Sequence, residues 1–194
     1  MKSPRDREGE VLQTTERWLE RAVIGLNLCP FAKAVHVKGQ IHYALTWSQE
    51  TADMLDDLTV ALHDLLAQDP QHRDTTLLIA PKAFPDFWDF HGFVQRADKL
   101  LRSLHLDSAL QIASFHPQYE FAQAPAGDMA HYTNRAPYPI LHLLREDSMD
   151  RAVAAYPDAA LIYERNIARL RDLGAAGWLA LDVAAPAQPI ERRP

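Results

Sequence analysis

Two histidines on neighbouring predicted strands are the first candidates for chemistry in this sequence. His116 closes the segment Leu110–His116 and His142 lies within Ile140–Arg145, and both segments are short and largely apolar, as strands are. Alternate residues of a strand share one face of the sheet, so pairing of these strands would bring both imidazoles to one side. Two facing imidazoles can divide the acid and base roles of a reaction between them.

The same two histidines suggest a second hypothesis, a divalent metal site. The intervening loop offers Asp128 or His131 as a third ligand, and imidazole and carboxylate groups both bind zinc. The spacing matches no metal signature such as HExxH. In the structural alternative, each histidine forms a hydrogen bond with a loop carbonyl and holds the loop in place. The sequence leaves these hypotheses open.

The loop between the two strands spans roughly twenty residues, a length typical of functional or disordered connections. Near its end, Asn134 and Arg135 precede Ala136–Pro139, whose two prolines stiffen the backbone. A guanidinium held in this way suits the carboxylate or phosphate of a ligand. The alternative is an ion pair that pins the loop, formed with Glu120, Asp128 or Glu146.

Three further side chains complete the candidate set. Lys82 follows a predicted strand, and ligands of open α/β sheets bind beyond the carboxyl ends of the strands. Tyr119 either lines a pocket or covers an edge of the sheet. Cys29 is a candidate nucleophile if Pro30 begins a new helical turn, because the helix dipole would then lower the pKa of the thiol. The alternative for Cys29 is an inert, buried thiol.

The helices that would position these groups follow from apolar residues spaced three and four positions apart. Helices are predicted from Glu10 to Asn27, from Ser48 to Asp69, from Asp86 to Leu104, from Ser148 to just before Pro157, and from Asp158 to Leu173 with Gly174 as its stop. Two other strands are predicted at Ile41–Trp47 and Thr75–Ala80, and an edge strand at Trp178–Val183.

Strands that alternate with helices favour parallel pairing through right-handed crossovers. The sequence therefore predicts an α/β fold, a single compact domain at residues 9–183 with a mixed, mostly parallel sheet and flanking helices. Residues 1–8 are predicted to be loose, and residues 184–194 form an Ala/Pro-rich tail. The alternative fold is an α+β two-layer sandwich with helices on one face. The direction of the strand at Ile140–Arg145 is left open.

The charge, the cysteine count and the absence of certain motifs argue against several classes of protein. The chain has 20 Lys and Arg against 26 Asp and Glu, a net charge of −6, which argues against a broad surface for nucleic acid. A single cysteine fits a reducing compartment, and neither a signal peptide nor an apolar membrane span is present, so a cytoplasmic location and no membrane partner are expected. The sequence contains no GxGxxG, GxxxxGK or GxSxG motif, which disfavours classical nucleotide binding and a hydrolase elbow.

Four uninterrupted motifs carry a resemblance to a known family. NLCPFAKAV, SFHPQYEF, YTNRAPYPILHLLRE and IYERNI resemble a bacterial family of uncharacterised proteins catalogued as domain of unknown function 1415. The resemblance runs from about Trp18 to Gly174. It implies a free-standing, single-domain cytosolic protein whose distinctive residues are those named above.

These observations support two hypotheses about function. The first is a small cytosolic enzyme that acts on an anionic small metabolite, with Asn134 and Arg135 holding the anion and His116 and His142 supplying acid–base or metal chemistry. The alternative is a non-catalytic module that binds a ligand or a protein, in which histidine and arginine side chains pin the long loop. The sequence determines neither a cofactor nor the oligomeric state.

Overall fold

The computed structural model describes residues 3–156 and 161–185 of the chain. The strands are β1 (Ile41–Leu45), β2 (Thr75–Ile79), β3 (Leu110–Phe115) and β4 (Ile140–Arg145). The helices are α1 (Pro4–Trp18), α2 (Ala32–Val37), α3 (Thr51–Ala67), α4 (Phe87–Ser103), α5 (Glu146–Ala155) and α6 (Ile162–Ala180), with a π-helical segment at Leu19–Ile24 and a 3₁₀ helix at Met129–Thr133. Within these described ranges, no helix has the length and apolar character needed to cross a bilayer.

The four strands form one sheet in the order β1-β2-β4-β3. β1 and β2 pair in parallel, whereas β4 is antiparallel to both of its neighbours. β3 therefore runs in the same direction as β1 and β2, and β4 alone opposes them. This confirms the predicted compact α/β domain with a mixed sheet and flanking helices, in which three of the four strands run in one direction, and it resolves the direction of Ile140–Arg145 as antiparallel.

Helices cover both faces of the sheet, each through its own apolar cluster. The cluster on one face joins α3 and α4 to the sheet through buried residues that include Met54, Leu58, Leu62, Phe90, Leu141 and Leu143. The cluster on the other face joins α1 and the π-helical segment to the sheet through residues that include Val11, Trp18, Ala22, Leu77, Ile79 and Ile140. Alternate residues of β2 and β4 enter opposite clusters, which explains how one sheet serves two cores and excludes the alternative with helices on one face only.

The N-terminal segment begins its helix earlier than predicted. Ser3 caps α1: its hydroxyl accepts a hydrogen bond from the Asp6 N–H (3.2 Å), and the Asp6 carboxylate accepts one from the Ser3 N–H (3.0 Å). Pro4 at the first helical position is compatible with this start. The prediction that residues 1–8 are loose is therefore wrong from residue 3 onward, because a capping box and a proline outweigh the high local charge.

The C-terminal segment also differs from the prediction. Trp178–Val183 is not an edge strand, because α6 continues to Ala180 and then ends in a turn. Gly174, the predicted stop, adopts a left-handed conformation (φ 66°) and kinks the helix, but the alanine-rich residues after it resume helical geometry. The predicted start of this helix at Asp158 lies outside the described residues, as does the tail from residue 186.

The π-helical segment brings two backbone regions unusually close at Gly25. The Gly25 N–H donates to the Glu20 carbonyl (2.9 Å), five residues earlier, and Asn27 then leaves the helix in a left-handed conformation (φ 52°). A Cβ atom at Gly25 would collide with the Arg21 carbonyl oxygen and lie 3.1 Å from the Glu20 oxygen.

Gly25→Ala should therefore destabilise the protein by about 1–3 kcal/mol, because a backbone carbonyl must shift to admit the methyl group. Gly92→Ala is a matched control within α4, where a Cβ meets no heavy atom within 4 Å. The control should be neutral or stabilising by up to about 1 kcal/mol, as expected for glycine in a helix. Urea unfolding of both variants measures the difference, and equal stabilities would contradict the close approach.

Candidate functional site

His116 lies at the end of β3, where it holds the loop that follows β2. Its Nε2–H donates to the Phe84 carbonyl (2.9 Å), and its Nδ1 accepts a hydrogen bond from the Gln118 N–H (3.1 Å). The side chain is 1% exposed and stacks on Phe90 with ring centroids 5.1 Å apart. Burial lowers the pKa of His116, so the neutral imidazole with one donor and one acceptor is the stable form.

His131 has the same arrangement inside the long loop. It lies in the 3₁₀ helix, its Nδ1 accepts from the Phe121 N–H (3.0 Å), and its Nε2–H donates to the Pro125 carbonyl (2.9 Å). The side chain is 1% exposed. His116 and His131 each use both ring nitrogens on the backbone, so neither can ligate a metal or transfer a proton without breaking a loop contact.

His142 lies on the opposite face of the sheet from His116. In β4 it is paired with Leu77 on one side and Ala113 on the other. Its ring lies beside that of Phe115 in the α1-facing core, with the two ring centroids 6.3 Å apart. The predicted pairing of the two strands is correct, but the prediction that it brings both imidazoles to one side is wrong. No hydrogen bond joins the His142 ring to any described residue, and burial lowers its pKa to about 4.

Asp128 fixes the long loop to α6. Its carboxylate accepts two hydrogen bonds from the Arg171 guanidinium, at 3.0 and 2.7 Å, and one from the Ala130 N–H (2.8 Å) at the start of the 3₁₀ helix. The hydrogen bonds from Arg171, followed by the one from Ala130, lower the pKa of Asp128 to about 2. Sequence reasoning missed Arg171, because its position on a helix face gives no sign of a partner 43 residues away.

The four proposed metal ligands His116, His142, Asp128 and His131 do not converge. His116 and His131 are bound to the backbone, Asp128 to Arg171, and His142 lies on the other face of the sheet. Across residues 3–156 and 161–185, no three His, Cys, Asp or Glu side chains are placed to share a metal ion.

Asn134 and Arg135 also act on the loop itself. The Asn134 amide donates to the Ser114 carbonyl (3.0 Å), while the Asn134 carbonyl accepts from the His116 N–H (3.1 Å). The Arg135 guanidinium lies 4.1 Å above the Tyr132 ring, and its Nε–H donates to the Tyr119 carbonyl (3.4 Å). Arg135 thus pins the loop through a carbonyl and a cation–π contact, and it forms no ion pair with the acidic residues considered above.

Tyr119 packs its ring between Phe87 and Phe121, with centroids 4.9 and 5.0 Å away. This aromatic row joins α4 to the long loop. Tyr119 is partly buried and packs against the α3- and α4-facing cluster.

Cys29 lies in the turn between the π-helical segment and α2, where the NLCPF and IYERNI motifs meet. From α6, the Asn166 amide donates to the Leu28 carbonyl (2.6 Å) and Arg169 to the Leu26 carbonyl (2.5 Å). Burial raises the pKa of the Cys29 thiol, and this effect exceeds the opposing effect of backbone hydrogen bonds from Phe31 and Ala32. A raised pKa keeps the thiol protonated and weakens it as a nucleophile.

Lys82, a predicted site residue, lines a cleft. The cleft has a volume of about 250 Å³ and lies beyond the carboxyl ends of β1 and β2. Its other walls are Trp47 and Gln49 after β1, and Pro4, Arg7 and Glu8 from α1. The Arg7 and Lys82 side chains form no hydrogen bond or ion pair with the described part of the chain, and Trp47 is 40% exposed. We call this the Lys82 cleft. Sequence reasoning missed Arg7, because residues 1–8 were predicted to be loose, and it placed Trp47 only at the end of the strand predicted at Ile41–Trp47.

The fold and these contacts define a class of protein, an α/β domain whose long β3–β4 loop is fixed by its own histidine, asparagine and arginine side chains. A family model described as "Protein of unknown function (DUF1415)" matches residues 10–180, and the chain belongs to this family. The match confirms the resemblance based on the four motifs. Neither a curated protein nor a solved structure matches the chain.

Removing the His131 side chain should destabilise the loop between β3 and β4. His131→Ala leaves the Phe121 N–H and the Pro125 carbonyl without partners, at a cost of about 1–3 kcal/mol. For a chain of this size the melting temperature should fall by roughly 2–4 °C per kcal/mol. His72→Ala is the matched control, because that side chain is 83% exposed. Equal melting temperatures for the two variants would show that His131 does not hold the loop.

Stability should decrease on mild acidification because of His142. Its folded pKa is about 4 and its unfolded pKa about 6.5, so its contribution is complete above pH 6.5 and is lost as the pH falls toward 4. Between pH 7 and pH 5 the loss should be about 1–2 kcal/mol. In His142→Leu this part of the pH dependence should disappear. Denaturant unfolding at both pH values tests it, and parallel behaviour of the two proteins would refute the assignment.

Proposed function

We propose that this protein is a non-catalytic binding module for a small anionic molecule, and that the Lys82 cleft is its binding site. The observation that carries the proposal is the pair of cations, Arg7 and Lys82, which face one cleft without partners among the described residues. An exposed guanidinium and ammonium on two sides of a concave surface favour a carboxylate or phosphate.

The remaining walls narrow the class of ligand. Trp47 offers a partly exposed indole face, which suits a planar or apolar group attached to the anion. Glu8 contributes one opposing charge, so the local balance is one net positive charge. A volume of about 250 Å³ suits a metabolite rather than a polymer.

The position of the cleft agrees with the topology of the sheet. Residues after β1 and β2 form its floor, and ligands of α/β sheets gather beyond the carboxyl ends of parallel strands. β1 and β2 are the one pair of neighbours in this sheet that are parallel. The N-terminal turns of α1 supply another wall of the cleft.

The contacts of His116 and His131 support a non-catalytic role. Both imidazoles are buried, and in each ring both nitrogens form hydrogen bonds with backbone groups. A general acid or base needs a ring nitrogen within reach of a substrate. These contacts favour the module over an enzyme based on His116.

The second candidate function is an enzyme in which His142 acts as a general base. It is favoured by the absence of any hydrogen bond between the His142 ring and the described residues, which leaves an acceptor nitrogen in the neutral form. With an identified turnover, His142→Gln should lower kcat by about 10²-fold or more if this role is real. Unchanged kcat would remove His142 from the reaction.

Isothermal titration calorimetry with phenyl phosphate and benzoate tests the binding proposal. Lys82→Ala and Arg7→Ala should each weaken binding about tenfold, equivalent to roughly 1.4 kcal/mol for one lost charge contact. Glu8→Gln should strengthen binding, because it removes the one negative charge in the cleft.

Lys99→Ala is the matched control, since Lys99 is an exposed lysine on α4 outside the cleft. It should leave the affinity unchanged. If neither probe binds, or if Lys82→Ala and Lys99→Ala have equal affinities, the Lys82 cleft is not an anion site.

A further inference from the structure

A second cleft lies at the amino ends of β1 and β2, opposite to the end where the Lys82 cleft lies. It has a volume of about 260 Å³ and forms where α2, α5 and the residues preceding β1 and β2 meet. Its polar walls are Lys38, Gln40, Gln71, Asp74, Ser148 and Arg151, and Val35 is among its apolar walls. We call this the Asp74 cleft.

Internal hydrogen bonds hold the polar groups of this cleft in place. The Ser148 hydroxyl donates to Asp74 Oδ1 (2.5 Å) and accepts from Arg151 Nη2 (2.9 Å). Gln40 donates to the Pro70 and Gln71 carbonyls (3.2 and 2.8 Å), which fixes the loop on the far side. The chain Arg151–Ser148–Asp74 therefore presents a cation and an anion at a set separation.

Part of each charged group remains available to a ligand. Asp74 Oδ2 and the other Arg151 N–H groups have no hydrogen-bond partner among residues 3–156 and 161–185. The Lys38 ammonium likewise forms no ion pair with the described residues. The cleft thus holds two cations and one carboxylate, each with free hydrogen-bonding capacity.

The two cations and one carboxylate of the Asp74 cleft distinguish ligands by the charges that the ligands carry. A simple anion would meet the Asp74 carboxylate, and a simple cation would meet both Lys38 and Arg151, so each would encounter repulsion. A molecule with a carboxylate and an ammonium group avoids both penalties, because its carboxylate can bind Lys38 and Arg151 while its ammonium binds Asp74. Val35 then offers apolar surface for the rest of the molecule.

We propose that the Asp74 cleft binds a small zwitterion of the α-amino acid class. This site is separate from the Lys82 cleft and does not depend on the function proposed there. The two clefts lie beyond opposite ends of β1 and β2 and share no lining residue.

Titration calorimetry of the whole chain with each of the twenty standard L-amino acids tests this proposal. For the amino acid that binds, its N-acetyl derivative lacks the ammonium and its amide lacks the carboxylate. Each derivative should bind at least about tenfold more weakly, since each loses one charge contact. Arg151→Gln and Lys38→Gln should also weaken binding of the amino acid, and the amide should be less sensitive to both changes.

Two further variants control for folding and for the other cleft. Asp74→Asn should reduce affinity for the amino acid but not for its N-acetyl derivative. If Asp74→Asn misfolds, Lys38→Gln still tests the site, because Lys38 is exposed and forms no ion pair with the described residues. Lys82→Ala should leave amino-acid binding unchanged, which separates this proposal from the first. Absence of binding by every amino acid, equal affinity for the derivatives, or insensitivity to Lys38→Gln and Arg151→Gln would each overturn it.

Discussion

The backbone of the β3–β4 connection imposes the main constraint on this structure. Residues 116–139 connect β3 to β4, its antiparallel neighbour in the sheet. Their buried N–H and C=O groups need partners outside any strand ladder. A neutral imidazole has one donor and one acceptor, so it fits between a carbonyl and an N–H. His116 uses this property at the start of the connection and His131 within it, and the Asn134 backbone forms hydrogen bonds with both residues. The insertion of β4 between β2 and β3 depends on these contacts, because they fix where the chain returns.

The sequence predicts most of the strands and helices because their apolar periodicity is regular, but it does not contain the register. Ile140 is paired with Phe115 and His142 with Ala113, so a residue following Phe115 lies on the face opposite to His142. Period-two patterning correctly groups His116 with Ser114 and Ile112, and His142 with Ile140 and Leu144. Relating the two groups requires the pairing offset, which only the tertiary structure provides. The residues that share a face with each histidine were therefore predictable, whereas the placement of the two histidines on opposite faces of the sheet was not.

Partners distant in sequence were the other unpredictable feature. Asp128 and Arg135 were both recognised as loop-pinning candidates, but their partners are Arg171 and the Tyr132 ring. An isolated carboxylate or guanidinium can pair with any opposite charge, so composition alone does not choose among the candidates. Local signals behaved differently: Asp86 was predicted as the start of a helix, and its side chain caps α4 by accepting hydrogen bonds from residues two and three positions later. Predictions succeeded where the deciding interaction was local.

The net charge of −6 describes the clefts poorly. Several carboxylates are already used inside the fold, as when Asp57 accepts hydrogen bonds from Thr46 and Ser48 or Asp64 pairs with Arg73. Charges separated by more than about 8 Å are largely screened at physiological salt, so a small ligand responds to the few groups that surround it. An extended polyanion instead samples the whole surface, and for that partner the acidic balance remains unfavourable. A small ligand would therefore meet a charge balance different from that of the whole chain in the two clefts, which lie beyond opposite ends of β1 and β2.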